Sequence, residues 1–419
     1  MLKVQHLILF ALFLLAFRPV IDLAGHYEGG VINLGGAVGL VFGLTVMFTA
    51  IWRAAKISRD RVRLVIFFTV IISFIFSLIS FIGSPKLEAS LPEWARYFVG
   101  FSSAVLFILM LTFDIDKKYL TRIFWVLISA SLMPFIIQLL QAAGYYDFSY
   151  YDYIRGERLG RPTGGYHQPN SLGRLMVFVI VAAYIFALSN NIRWVVARAI
   201  VLIAVFSIFM TTHRTSLISA IFVIFIIESY FLAQLNLRNI FAIIISGFAI
   251  IFGVSLFSIS GPDYLKVYFS LDDWIWRFET LFVGLDDGRF LRGRGRIWNE
   301  SISIIQSSGV WTLAFGAGYG KLEAHNDALF RVMVFGFLGL VMAYLVIILS
   351  AFHAWHLCNK GGRHIVVAVM AFFLAFSIPL HPTGYPFFMW LFFGLLGMNV
   401  LLNGRNVNSR LTQTAKARV

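Results

Sequence analysis

The chain has 419 residues, of which 59% are hydrophobic and only 13% charged, with a formal charge of +14. A soluble domain carries roughly 45–50% apolar and about 25% charged residues, so soluble enzymes, disordered chains and coiled coils are excluded. Apolar runs near twenty residues recur along almost the whole length, too long for barrel strands, and predict an all-α polytopic membrane protein.

In chain order, about twelve spans are predicted, near 5–24, 31–51, 63–83, 94–113, 121–143, 170–188, 193–211, 214–233, 239–259, 325–351, 364–380 and 384–402. The first is read as a retained span, because Arg18-Pro19 follows it where a cleaved signal would show small residues. With Lys3 in the cytoplasm, the inside loops collect Arg53, Lys56, Arg59, Arg61, Arg63, Lys117, Lys118, Arg122, Arg193, Arg238, Lys360 and Arg363. The short outside connections at 24–30, 84–93 and 380–385 hold only Lys86, an asymmetry that predicts both termini in the cytoplasm. The chain then divides into nine spans over 1–259, a long outside loop at 260–324, three spans over 325–402 and a basic tail at 403–419. The same rule accounts for the +14 charge, so no nucleic-acid partner is expected. The single cysteine, Cys358, excludes a disulfide framework and a multi-cysteine metal site.

Two outside segments break the charge pattern. The segment 144–169 carries Arg155, Arg158 and Arg161, and the long loop carries Arg294 and Arg296 among seven cations. Long loops translocate regardless of charge, which is the plain account of most of these. Arg214 is different: it lies in the outside turn Thr211–Arg214, with no carboxylate within ten residues on either side. A lone arginine between two apolar spans needs an anionic partner or a wet cavity. Arg161 and Arg174 bracket a second turn, through Gly164, Gly165, His167, Pro169 and Asn170. The planar fork of arginine suits a diphosphate, and an imidazole beside arginines is held neutral and able to accept a proton.

Gly295-Arg296-Ile297-Trp298, the glycine cluster Gly316–Gly320 and the block His325-Asn326-Asp327-Ala328-Leu329, followed by Gly336 and Gly339, resemble the O-antigen ligase and polysaccharide polymerase family. Thr212-His213-Arg214-Thr215-Ser216 and the set Arg161, Gly164, Pro169-Asn170 are similar to that family's earlier blocks. The resemblance implies a GT-C-like integral-membrane glycosyltransferase of the bacterial inner membrane. Such an enzyme moves a glycan from undecaprenyl diphosphate to a sugar hydroxyl at the periplasmic face, with inversion and without metal, nucleotide sugar or other cofactor. It implies that Arg214, Arg296 and Arg161 hold the diphosphate and that His325 activates the acceptor. Asn326, His213, Asn170, Arg294 and Trp298 become candidate substrate contacts. The acceptor is a lipid-linked repeat in a polymerase, lipid A-core in a ligase, or a protein hydroxyl. The His-Asn-Asp block favours the polymerase, with a chain-length regulator protein as an expected partner beside membrane lipids.

Other signals are weaker. Asp114 and Asp116 read as a solvated connector, and His353, His356, Cys358 and His364 as an interfacial polar collar without an acidic ligand nearby. Arg18, Arg96 and Arg331 read as snorkelling side chains, with Arg331 outside the site, and His381 reads as structural. Trp274, Trp276 and Trp298 suit interfacial anchors better than sugar platforms. A flippase or secondary transporter shares the span number, but its ionisable groups would sit near mid-bilayer in two similar halves, which this chain does not show.

Overall fold

The computed structural model describes residues 4–25, 34–84, 87–113, 115–148, 150–154, 157–232, 294–318 and 325–405. It is an all-α polytopic membrane protein. In chain order the helices are α1 (Val4–Gly25), α2 (Leu34–Trp52), the single turn α3 (Ala54–Ile57), α4 (Arg61–Ile82), α5 (Leu87–Thr112) and α6 (Lys117–Ala142). A hairpin of β1 (Tyr150–Ile154) and β2 (Glu157–Arg161) leads to α7 (Pro169–Leu188), α8 (Trp194–Met210) and α9 (Arg214–Leu232). After residue 293 come α10 (Arg294–Gln306), α11 (Val310–Phe315), α12 (Asp327–Leu357), α13 (Lys360–Ser377), a 3₁₀ turn (Pro382–Gly384) and α14 (Pro386–Asn403).

Eleven of the expected spans fall on these helices, and among the described residues nine helices are long and apolar enough to cross a membrane. The expected ninth span at 239–259, most of the long loop including Trp274 and Trp276, and the tail beyond 405 lie outside the described residues. Two expectations are corrected. The connection at 84–93 is shorter than expected, because α5 begins at Leu87, before its apolar span at Trp94; Pro92 lies in its second turn, at the cost of one helical hydrogen bond. The described part of the long loop is helical, at 294–306 and 310–315, and the segment after α6 carries the hairpin.

Helix starts follow their caps. Asp60 accepts from the N–H groups of Val62 and Arg63 at α4, Asp116 from Lys118 at α6, and Asn359 from Gly362 at α13. Asp116 is therefore a cap, in keeping with a connector. Pro169 and Pro386 open α7 and α14, where a proline lacks only an orphan donor.

The centre is α7 and α14, whose spans are 89% and 83% buried, against 33% for α4 at the edge. Lipid offers helices no hydrophobic reason to associate, so close packing and buried hydrogen bonds hold the bundle. Gln138 and Ser207 bond reciprocally between α6 and α8, at 2.9 and 2.6 Å. Trp390 of α14 donates to the Val99 carbonyl of α5 at 2.9 Å and lies 3.8 Å from the Phe42 ring. Near the opposite end, Asn403 donates to the Ile185 carbonyl and Asn399 to that of Gly362.

One helix is broken by design of its sequence. Gly336 lies inside α12 with φ 69°, a conformation L-residues resist, and the helix kinks there. The carbonyls freed by the break find other donors: Ala317 N–H reaches Met333 O at 2.7 Å, and the Ser80 hydroxyl donates to Val334 O. A Cβ at Gly316 would overlap the Val334 carbonyl, and one at Gly336 would overlap that of Ala314. The two glycine blocks of the sequence are thus two sides of one backbone crossing, which docks α11 and its following turn against α12.

Helix polarity defines two faces. One carries the basic connections at 53–63, 117–122, 193 and 360–363. At the other, α7, α9, α12 and α14 all begin.

Candidate functional site

The site is at the face where these four helices begin. Each N-terminus carries the positive end of its helix dipole, a setting that favours anions. Arginines are added to this field.

The turn after β2 is docked firmly. Gln141 of α6 accepts from the N–H groups of Thr163 and Gly164, both at 2.9 Å, and Tyr166 donates to the Pro19 carbonyl of α1. Burial, then the charge of Asp22, hold the Tyr166 phenol well above its ordinary range, so it stays a neutral donor. Gly164 and Gly165 take positive φ, and a Cβ at Gly164 would overlap the Pro134 carbonyl. This places Arg161 in the interior, where Nε and Nη2 donate to the Thr211 carbonyl at 3.3 and 2.8 Å. Arg161 therefore supports the α8–α9 turn while adding its charge to the site.

That turn is strained. Thr212 has φ 54°, which a β-branched residue adopts only where its surroundings enforce it. His213 caps α9: Nδ1 accepts the Ser216 N–H at 3.3 Å and lies 2.7 Å from the Ser216 hydroxyl. A ring nitrogen that accepts an N–H carries no proton, so the proton resides on Nε2. Burial, reinforced by the charges of Arg161, Arg174 and Arg294, pushes His213 well below the usual histidine range. Arginines from β2, α7 and α10 thus lie close enough for their charge to act on this one imidazole. Gly173 lets α7 approach, since a Cβ there would overlap Ser216.

Arg174 extends the cluster. It is buried, donates from Nε to the Asn170 carbonyl at 3.1 Å and from Nη2 to Ser171 at 3.3 Å, and lies 4.1 Å beneath the Tyr385 ring. The other face of the chain's last turn continues the line. His381 is stacked between Phe330 at 4.5 Å and Tyr385 at 4.8 Å. Burial, with the charges of Arg331, His325, Arg174 and Arg96, lowers it to about 3.

α12 supplies the last side. Asn326 caps it by accepting from Leu329 N–H at 3.1 Å and donates to the Ile378 carbonyl at 3.1 Å. His325, just before the cap, is half-buried and has φ 44°. At the first helical position, Asp327 accepts from the N–H and hydroxyl of Thr383 at 3.1 and 2.5 Å, and Arg331, one turn in, donates to the same hydroxyl at 2.5 Å. Arg331 is 1% exposed, with the Tyr97 ring at 4.7 Å and Phe335 at 4.9 Å.

Of the sequence-based set, Arg161 and Arg294 lie within electrostatic reach of His213, and His325 within reach of His381; Asn170 accepts from Arg174 through its carbonyl, and Asn326 caps α12. Arg214 opens α9 beside His213 and is half-buried. Trp298 is half-buried on α10, whereas Arg296 is exposed. Arg294 and Arg296 are two positions apart on one helix, about 200° around it, so they face different surroundings. Arg174, Arg331 and His381 were not counted in the site from sequence, and here they are its interior. Arg331 does not snorkel; it is sealed under aromatics. Arg18 does not either: it pairs with Asp22 at 2.6 Å and donates to the Gly35 carbonyl. A sequence signal existed for Arg331, since it lies four residues after Asp327 and shares its helix face. Among the described residues, Arg174 Nη1, Arg331 Nη2 and His381 Nδ1 are buried without a hydrogen-bond partner. Buried polar groups are nearly always satisfied, so these atoms are available to a bound partner.

On the opposite face, the expected collar of histidines disperses. His353 approaches Asp60 at 4.0 Å, so an acidic neighbour does exist, while His356 meets Phe352 and His364 meets Tyr230. No protein-family model matches the chain, and no curated protein matches it.

Proposed function

We propose that this site transfers a glycan from a polyprenyl diphosphate to a sugar hydroxyl, as a metal-independent inverting glycosyltransferase of cell-surface polysaccharide assembly. The observation that carries the reading is that the buried Arg161 and Arg174, with Arg294, act by their charge on the neutral His213, at a face where four helices begin. Guanidinium groups beside helix N-termini suit a diphosphate; a pair of phosphates offers each arginine two oxygens in fork geometry. Arg214 and Arg294 are the diphosphate ligands nearest this centre, with Arg296 at the exposed rim and Arg161 holding the turn.

His325 is the acceptor base. It is half-buried and so reachable, whereas His213 has Nδ1 committed to Ser216 and His381 is enclosed by two rings. In the reaction, the acceptor oxygen attacks the anomeric carbon and its proton passes to the imidazole. The bond from that carbon to the diphosphate oxygen breaks, and the electron pair leaves with the diphosphate. Charge grows on the departing group, and fixed guanidinium donors stabilise it without rearranging. A single displacement inverts the anomeric centre.

The setting belongs to the same proposal: the bacterial inner membrane, the site periplasmic and both termini cytoplasmic, with an undecaprenyl-diphosphate-linked oligosaccharide as donor. The basic connections on the opposite face support that orientation. The preferred acceptor is another lipid-linked repeat, giving chain growth. Reconstitution in vesicles with lipid-linked repeats alone tests it: chain extension is expected. Transfer that appears only when lipid A-core is added makes the protein a ligase, and no transfer with either removes the reading.

A further inference from the structure

The opposite face carries a cleft with no part in that chemistry. Lys56, Arg59, Asp60, Arg61, Arg63 and Thr112 line an open hollow of about 450 Å³ between the α3–α4 connection and the end of α5. Its floor is fixed. Ile57 is fully buried and pins the single turn α3 to the bundle. Asp60 caps α4 and accepts from Arg63 Nε at 3.0 Å, and Arg63 Nη1 donates to the Thr112 hydroxyl at 3.2 Å. Burial raises the Asp60 carboxyl, but the Arg63 N–H, the Arg63 and His353 charges and the Val62 N–H outweigh it, so the group is held below its ordinary value and ionised.

The charge balance is lopsided. Four cations line the cleft against one carboxylate, and that carboxylate is already bound to Arg63 and the α4 N-terminus. Arg59 and Arg61 are exposed and have no ion-pair partner among the described residues. Lys56 is 5.0 Å over the Phe113 ring, which keeps its ammonium at the mouth. The α4 N-terminus adds its positive dipole end.

The rim is apolar. Ile51, Trp52, Val62 and Val65 flank the basic residues and are 65%, 44%, 38% and 51% exposed on helices that cross the bilayer. A fitting ligand is therefore an anion with hydrocarbon attached at one end. We propose that this cleft is a binding site for the phosphate headgroup of an anionic phospholipid, with its acyl chains lying along α2 and α4. Basic pockets between helices at a cytoplasmic surface hold such headgroups elsewhere. A plain topology signal would need only charge on this face; it would not need a carboxylate-braced hollow with two unpaired guanidinium groups at its edge.

The test is native mass spectrometry of the full chain in detergent, with added phosphatidylglycerol or phosphatidylcholine. The wild type should retain phosphatidylglycerol selectively, and Arg59→Ala with Arg61→Ala should weaken retention roughly thirtyfold, since each surface cation contributes several-fold. Arg59→Lys with Arg61→Lys should keep most of it and shows that the fold survives. Lys117→Ala with Lys118→Ala removes as much charge from the same face outside the cleft and should change little; an equal loss there overturns the site. Equal retention of the two lipids overturns it too, and displacement by millimolar inorganic phosphate alone assigns the cleft to a free anion rather than a lipid.

Discussion

The two faces of the bundle carry similar residues in opposite states. On the basic face, Arg59 and Arg61 are solvated, and Arg63 has a carboxylate. On the site face, Arg161, Arg174 and Arg331 are buried, and their nearest partners are carbonyls, hydroxyls and aromatic rings. A solvated cation costs the fold nothing and orients the chain in the membrane. A buried one is expensive unless its surroundings, or a ligand, offset its lost hydration. The carboxylate of Asp327 and the guanidinium of Arg331 share the Thr383 hydroxyl. The difference separates arginines whose hydration is kept from arginines whose lost hydration the fold itself must offset.

The widest gap between the faces should appear in activity. His325→Ala and Arg294→Ala are each expected to lower glycan transfer by about 10²–10³-fold, the usual cost of a general base or a charge-stabilising donor. Lys117→Ala, on the basic face, should leave the rate unchanged. Chain extension on lipid-linked repeats, at matched expression, is the measurement, and near-normal rates in both site variants would break the contrast. Stability should separate the faces next. Arg331→Ala leaves Thr383 and Asp327 without their cation inside the bundle, and about 3 kcal/mol or more of stability should go with it. Arg59→Ala should cost less than about 0.5 kcal/mol, as a surface change. Thermal unfolding in detergent compares them directly.

How much of this was readable beforehand depended on whether a feature is local. The spans were legible because an apolar run of this length has one destination. The start of α12 was legible to within two residues, since Asn326 caps it and a polar break precedes it. The kink at Gly336 was not, because its cause is a second backbone at Gly316, twenty residues away and outside any periodicity. α10 and α11 hid in a polar loop, being short helices that lie beside the bundle. Within the site, Arg161, His213, Arg294 and His325 were found by residue type in outside segments. His381 and Arg331 were missed because their significance is tertiary. His381 matters through Phe330 and Tyr385 on other elements, and Arg331 through Thr383, 52 residues later. Reading Arg331 as a snorkelling cation left out Asp327, four residues before it on the same helix face.

A difference in pH response should follow from the imidazoles. His381 is lowered to about 3 in the fold, while an unfolded histidine titrates near 6.5. Its folded state favours the neutral ring, so its contribution is complete above about pH 6.5 and is lost as pH falls toward 3. From pH 6.5 to 5 the loss is about 1.6 kcal/mol, since the slope reaches its full value of about 1.4 kcal/mol per unit only below the unfolded pKa. His381→Phe keeps the stack but cannot titrate, so its unfolding midpoint should decline less over that interval. Parallel declines in the two proteins would show that other groups carry the acid sensitivity.

The finest test concerns how a buried guanidinium is tolerated without a carboxylate beside it. Tyr385 lies 4.1 Å above Arg174 and 4.8 Å from His381, so one ring serves the cation and the imidazole together. An aromatic face attracts a desolvated cation by about 1–2 kcal/mol, through its quadrupole rather than its hydroxyl. Tyr385→Phe should therefore leave stability within about 0.5 kcal/mol, and Tyr385→Leu, of similar apolar character but without the quadrupole, should cost about 1 kcal/mol more. Arg174→Leu should cancel that difference, because the interaction energy exists only while both partners are present. A penalty for Tyr385→Leu that persists in the Arg174→Leu background would assign the ring to packing against His381, and Arg174 would then need its stabilisation from a bound anion.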